Sequence, residues 1–240
     1  TGVLRPCNME VFRSRLERAG MGSQDEAFHR ASGLWSVQLY KADIEMDLRT
    51  RNMAGFHLLD LQDYPGQGSA YVGILDAFMQ SKGITTPQEW SRFCSPVVPL
   101  FVTRKLCYTN NEQLEGIVEI ANYMEYPLKD KTLSWLLTDA GGNVRAKGAM
   151  PIPDDSIGVF RAGAISVALT DMENATRLNL QVSIDGTPYR NSYHLWVYPV
   201  AGDMAQDARG IIVTDTLTDA VMKKLDRGAK VLFMPKATMC

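Results

Sequence analysis

The chain has 240 residues, 45% of them apolar, and a formal net charge of -2. That length holds one large domain or two ordinary ones, and the apolar share suffices for packed cores. The charge gives no electrostatic case for nucleic acid or an anionic membrane, and no apolar run approaches the roughly 20 residues of a membrane span.

In chain order, Asn8 is a plausible N-cap for a helix over about 9–19, ended by Gly20 and Gly22. Ser23 with Glu26 three residues later reads as a capping box. The helix it opens runs to about Leu48 and carries Ala27, Phe28, Ala31, Leu34, Trp35, Gln38, Leu39 and Ile44 on one broad, buried face. Gly55–Leu61 is too short for a helix and reads as a strand, with His57 inside it. A helix follows from about Ser69 to Ser81, ended by Gly83. Thr86-Pro87-Gln88-Glu89 starts another, capped by Thr86, with Pro87 at its first position and its end near Cys94.

The pattern changes at Pro96. Strands are expected at Gly116–Asn122, Leu133–Leu137, Gly163–Leu169, Leu178–Ile184 and Tyr189–Val197, with turns at Asp139–Asn143 and Asp185-Gly186. Short strands at this spacing predict an immunoglobulin-like β-sandwich, without the Cys…Trp…Cys pattern of antibody domains. Trp135 and Trp196 are most simply core, whereas an exposed aromatic row would indicate a carbohydrate-binding face. Gly210–Val213, a helix over Thr214–Asp226 and Lys230–Pro235 read as a buried βαβ unit. No Gly-rich turn follows Val213, so a nucleotide site there has little support.

The cysteines Cys7, Cys94, Cys107 and Cys240 form no CxxC pair, and His29, His57 and His194 are far apart. No metal site is expected, and the thiols should be free and mostly buried. The stretch that carries chemistry is Gly55 to Gly68, where an apolar run meets Asp60, Gln62, Asp63, Tyr64 and Gln67 before Pro65, Gly66 and Gly68 break the chain. Barrels and open α/β sheets collect polar groups just past strand ends in this way. The acids and amides suit paired hydrogen bonds to sugar hydroxyls, or else they hold the loop or cap the next helix. Tyr64 is a platform for a sugar ring or a packed loop residue. Asp60 and Asp63, if extended, point to opposite faces about 10 Å apart along the backbone. A retaining glycosidase needs two carboxyl groups about 5–5.5 Å apart, so these two are poor candidates for an acid and a nucleophile.

Thr1–Pro6 and the segment Gly55–Pro99 resemble glycoside hydrolase family 2, the β-galactosidase and β-glucuronidase group. The Leu-Leu-Asp-Leu-Gln-Asp-Tyr-Pro-Gly-Gln-Gly stretch at Leu58–Gly68 is the closest part. The resemblance implies a multi-domain fragment. Residues 1–96 would be the C-terminal portion of a (β/α)8 TIM barrel, with Gly55–Leu61 as its eighth strand. Residues 97–200 would be the immunoglobulin-like β-sandwich, and 201–240 the beginning of a further α/β domain. It also implies a hydrolase of β-linked sugars whose two catalytic glutamates lie upstream, so no catalytic residue is assigned here. Asp60, Gln62, Asp63, Tyr64 and Gln67 would then bind substrate without a cofactor. The partners would be carbohydrate and the remainder of the parent protein, with no nucleic acid or membrane, and the location would be periplasmic or cell-surface. Self-association is expected where barrel faces are left uncovered. The alternative is a non-catalytic carbohydrate-binding or structural β-sandwich module.

Overall fold

The computed structural model describes residues 7–64, 71–153, 156–200 and 210–235. The chain divides into two units, Thr1–Tyr198 and Pro199–Cys240. The first unit is β-rich with few helices. Among its described residues eight strands form two sheets: β1 (Val97–Val102), β2 (Cys107–Thr109), β3 (Gln113–Asn122), β4 (Thr132–Asp139), β5 (Val144–Pro151), β6 (Gly158–Ala168), β7 (Thr176–Ile184) and β8 (Arg190–Tyr198). One sheet has the order β1-β3-β6 and the other β2-β8-β7-β4-β5. All neighbours are antiparallel except β2 and β8.

Period-two alternation explains the larger sheet. Leu178, Leu180, Val182 and Ile184 of β7 are buried, while the residues between them face outward. These side chains join Leu133, Leu137, Leu195 and Val197 against Leu114, Val118, Ile120 and Ile165 of the smaller sheet in one core. Gly116 and Gly148 let rings approach the backbone. A Cβ on Gly116 would lie 2.2 Å from the Phe101 ring, and one on Gly148 would lie 2.7 Å from the Trp135 indole.

Three strands escape the sequence pattern. β1 is buried along nearly its whole length because Val97 and Phe101 face the sandwich core while Val98 and Leu100 face a second core. It therefore reads as a continuous apolar run without alternation. β5 is an edge strand whose inner side carries only Ala146, Gly148 and Met150. β2 is three residues long.

The helical front seats on the outer side of the smaller sheet. α1 (Cys7–Arg18) is exposed, and Cys7 and Cys107 are exposed thiols rather than buried ones. Ser23 lies in a short 3-10 turn, and α2 (Asp25–Arg49) begins after it without a side-chain cap, so the expected capping box does not form. The buried stripe of α2 is Val37, Ile44, Glu45 and Leu48. Phe28, Leu34, Trp35 and Leu39, expected in the core, are exposed, Trp35 at 64%. The second core joins this stripe to Ile74, Phe93, Val98, Leu100 and Ala121. α3 (Pro87–Trp90) has the predicted capping box, with Thr86 and Glu89 bonded reciprocally.

The strand expected over Gly55–Leu61 is not formed. Gly55–Leu58 is irregular and Leu59–Asp60 is a turn, with Asp60 at φ 65°. A strand needs a neighbour for its N–H and C=O groups, and no described strand pairs with this segment. The helix expected over 69–81 is also absent from its described part, 71–81, which turns around Asp76. The Asp76 carboxylate accepts from the N–H groups of Phe78 and Gln80.

In the second unit, β9 (Ile211–Thr214) and β10 (Lys230–Phe233) pair in parallel around α4 (Asp219–Asp226), which Thr218 caps. The helix begins five residues later than expected. The strands are not buried; Val213, Leu232 and Phe233 are exposed.

Candidate functional site

The loop singled out by sequence is tied at two points. The Gln62 backbone bridges Leu75, with Asp63 N–H donating to Leu75 C=O at 3.0 Å and Leu75 N–H to Leu61 C=O at 3.0 Å. Asp63 is buried. Its Oδ1 accepts from Gly73 N–H at 3.0 Å and from Lys82 Nζ at 2.7 Å, and Lys82 also donates to Gly73 C=O at 2.8 Å. This carboxylate cross-links two chain segments. Gly73 packs so tightly that an added Cβ would lie 2.2 Å from the Gln62 carbonyl carbon.

Asp60 and Gln62 are half-buried on either side of the turn, and Tyr64 is 56% exposed. Asp60 lies close enough to Tyr40 that its charge, after burial, helps push the Tyr40 phenol above its ordinary pKa. His57 is exposed and outside any strand. Gln67 lies outside the described residues. The loop therefore brings Asp60, Gln62, Asp63 and Tyr64 onto one short segment, with Asp63 engaged from within.

A second polar group was not foreseen. Glu45 sits among the apolar positions of α2, where a charge requires a partner. Its Oε1 accepts from Lys41 Nζ, from Asn191 Nδ2 at 2.7 Å and from the Tyr193 hydroxyl at 3.1 Å. Asn191 is fully buried and its amide also reaches Pro99 C=O at 3.0 Å. The Tyr193 hydroxyl accepts from Phe101 N–H at 3.0 Å. Lys41 Nζ stands 4.0 Å from the centre of the Tyr193 ring. Burial pushes the Lys41 ammonium below its ordinary pKa, against the pull of Glu45. Burial and then the Glu45 charge push the Tyr193 phenol well up. The group is a clasp between α2 and the sandwich. The signal in sequence was Glu45 itself, at helical spacing with Val37, Ile44 and Leu48.

The third feature is the outer face of the five-stranded sheet. Arg177, Asn179, Gln181 and Ser183 of β7 lie opposite Trp196, His194, Ser192 and Arg190 of β8. Trp196 points outward, 36% exposed, contrary to the expectation that it is core, whereas Trp135 packs against the core. His194 and Trp196 meet edge to face at 6.4 Å. Burial, then Arg177 and Lys41, hold the His194 imidazole below its ordinary pKa. At one end of this face a groove of about 410 Å³ is lined by Gln181, Ser183, Asp185 and Arg190. A more apolar cleft of about 520 Å³ lies across the same hairpin turn, lined by Tyr126, Pro127, Lys129, Pro188 and Tyr189. Among the described residues no group of His, Cys, Asp and Glu is placed to hold a metal ion.

The first unit is thus a two-sheet β-sandwich with a helix-and-loop segment clasped to one side. The family model of DUF8488, a domain of unknown function, matches residues 112–199, from the start of β3 past the end of β8. No curated protein matches the chain. Among solved structures, it is similar to the CARDB domain of a Pyrococcus furiosus protein, at 11% identity and TM-score 0.31 over 43% of this chain and 91% of that one. It is similar to a family 123 glycoside hydrolase from Clostridium perfringens, at 9% identity and TM-score 0.24 over 38% of this chain and 22% of that one. A third is the β-glucuronidase of Bifidobacterium dentium, at 9% identity and TM-score 0.21 over 50% of this chain and 27% of that one. At such TM-scores these distant likenesses carry no weight for function.

Proposed function

We propose that the chain is the non-catalytic part of a β-glycosidase resembling glycoside hydrolase family 2. In this reading residues 1–96 end a (β/α)8 barrel, 97–200 are its immunoglobulin-like sandwich, and 201–240 begin a further α/β domain. Gly55–Leu61 becomes a strand once the preceding strands stand beside it. Asp60, Gln62, Tyr64 and Gln67 form one wall of the sugar site, and Asp63 holds that wall in shape through Lys82. Carbohydrate and the remainder of the parent protein are the partners, and the protein acts in the periplasm or at the cell surface.

The observation that carries this reading is the anchoring of the loop. The Asp63–Lys82 pair and the Leu75 bridge fix it from inside, while Tyr64 is left exposed and Asp60 and Gln62 half-exposed. A binding wall needs its polar groups held by a rigid second layer. The test is the coding sequence before Thr1. It is expected to encode a barrel with a glutamate at the ends of its fourth and seventh strands. A neighbouring sequence without such a barrel overturns the reading.

A second reading, a non-catalytic carbohydrate-binding sandwich, is favoured by the outward position of Trp196.

A further inference from the structure

We propose that the outer face of the five-stranded sheet binds an acidic polysaccharide, with Trp196 as its stacking platform and Arg177 and Arg190 as its carboxylate partners. The inference deepens the second reading above and rests on it. An antiparallel sheet can leave one face to water, and such faces need no tryptophan. Here Trp196 is flanked along β8 by His194 and by Tyr198, which is 48% exposed. The row is aromatic where a solvated strand would be polar. Across the ladder stand Arg177, Asn179 and Gln181. Paired amides and a guanidinium next to an aromatic ring offer donors and acceptors for adjacent hydroxyls and an apolar plate for a sugar's C–H face.

Charge selects the class of sugar. The outward positions of β7 and β8 include Arg177 and Arg190 and no carboxylate, and Lys147 of β5 lies opposite Leu136 on the same side. Asp185 sits in the turn and accepts from Ser134 Oγ at 2.8 Å, and Glu112, beyond the Tyr198 end, is paired with Lys105. From Trp196 the face extends six residues along β8 to the groove at Arg190, about 20 Å at strand spacing. That is room for a short run of sugar units ending on a guanidinium, which fits a carboxylate bidentately.

The test is retention of the whole chain in native gels cast with polygalacturonate or with neutral hydroxyethylcellulose. Polygalacturonate is expected to retard the protein, with weaker retardation as salt rises. Trp196→Ala and Arg177→Gln should each weaken binding about tenfold or more, as loss of a central aromatic or arginine does at other interfaces. Trp196→Phe should keep part of it, and unchanged melting of each variant separates lost binding from lost fold. Equal retardation by both polymers overturns the acidic-ligand proposal while leaving the carbohydrate-binding reading. No retardation by either, or retardation indifferent to Trp196→Ala and Arg177→Gln, overturns both.

Discussion

At the residue scale, the clasp around Glu45 draws its donors onto one carboxylate oxygen. Asn191 is its hub, since its amide serves Glu45, Tyr193 and Pro99 together. Asn191→Ala would leave a buried carboxylate and a carbonyl short of a donor. A loss of about 1–3 kcal/mol is expected in urea unfolding, and an unchanged midpoint would contradict the geometry. His194 offers a direct reading of the sheet face. Burial, and after it the Arg177 charge, lowers its pKa, so Arg177→Gln should raise the imidazole's titration midpoint in NMR, and an unmoved midpoint would place the guanidinium elsewhere. Glu112 is held at about 2, first by the Lys105 ammonium and then by Thr109 N–H. A folded-state pKa below the unfolded 4.5 gives stability that is present above pH 4.5 and lost as pH falls toward 2. Glu112→Gln should flatten that part of the stability-against-pH curve. Of the residues singled out in sequence, Asp63 was visible as an acid but not as an ion-paired one, because its partner Lys82 is nineteen residues away.

At the scale of elements, what was legible was whatever has a period. β7 alternates cleanly because it has one buried face, and the turns between strands announce themselves through Asp, Asn and Gly. β1 was hidden by burial on both sides and β5 by an inner face of small residues. The strand expected over Gly55–Leu61 is not formed in this structure, because strands are stabilised by neighbours and a sequence window contains none. α2 shows how a pattern can be right and its face wrong. Phe28, Leu34, Trp35 and Leu39 keep helical spacing yet lie off the stripe that meets the sandwich. Ile44→Ala should therefore cost about 2–5 kcal/mol, and Leu34→Ala less than about 0.5 kcal/mol, by the same unfolding assay. Close approach gives a further contrast. Gly116→Ala would drive a Cβ into the Phe101 ring with Val102 C=O also 3.0 Å away, whereas Gly163→Ala meets the movable Met150 sulfur at 2.4 Å. The first should destabilise by about 1–3 kcal/mol and the second by clearly less.

At the scale of the molecule, the front exposes several large apolar side chains. Phe12, Trp35, Leu59 and Phe78 are exposed at 56, 64, 82 and 67%. Exposed apolar area of this kind belongs against another surface. The isolated chain is expected to self-associate, and light scattering from a monodisperse monomer would count against an incomplete barrel. The central claim is that the loop at Asp60–Tyr64 contributes to a sugar site whose catalytic acids lie elsewhere. Release of nitrophenol from a panel of nitrophenyl β-glycosides by the purified chain tests it most directly. The rate should equal that of buffer alone. Turnover that disappears with Asp60→Ala would contradict the account, since it would make the loop itself the catalytic centre.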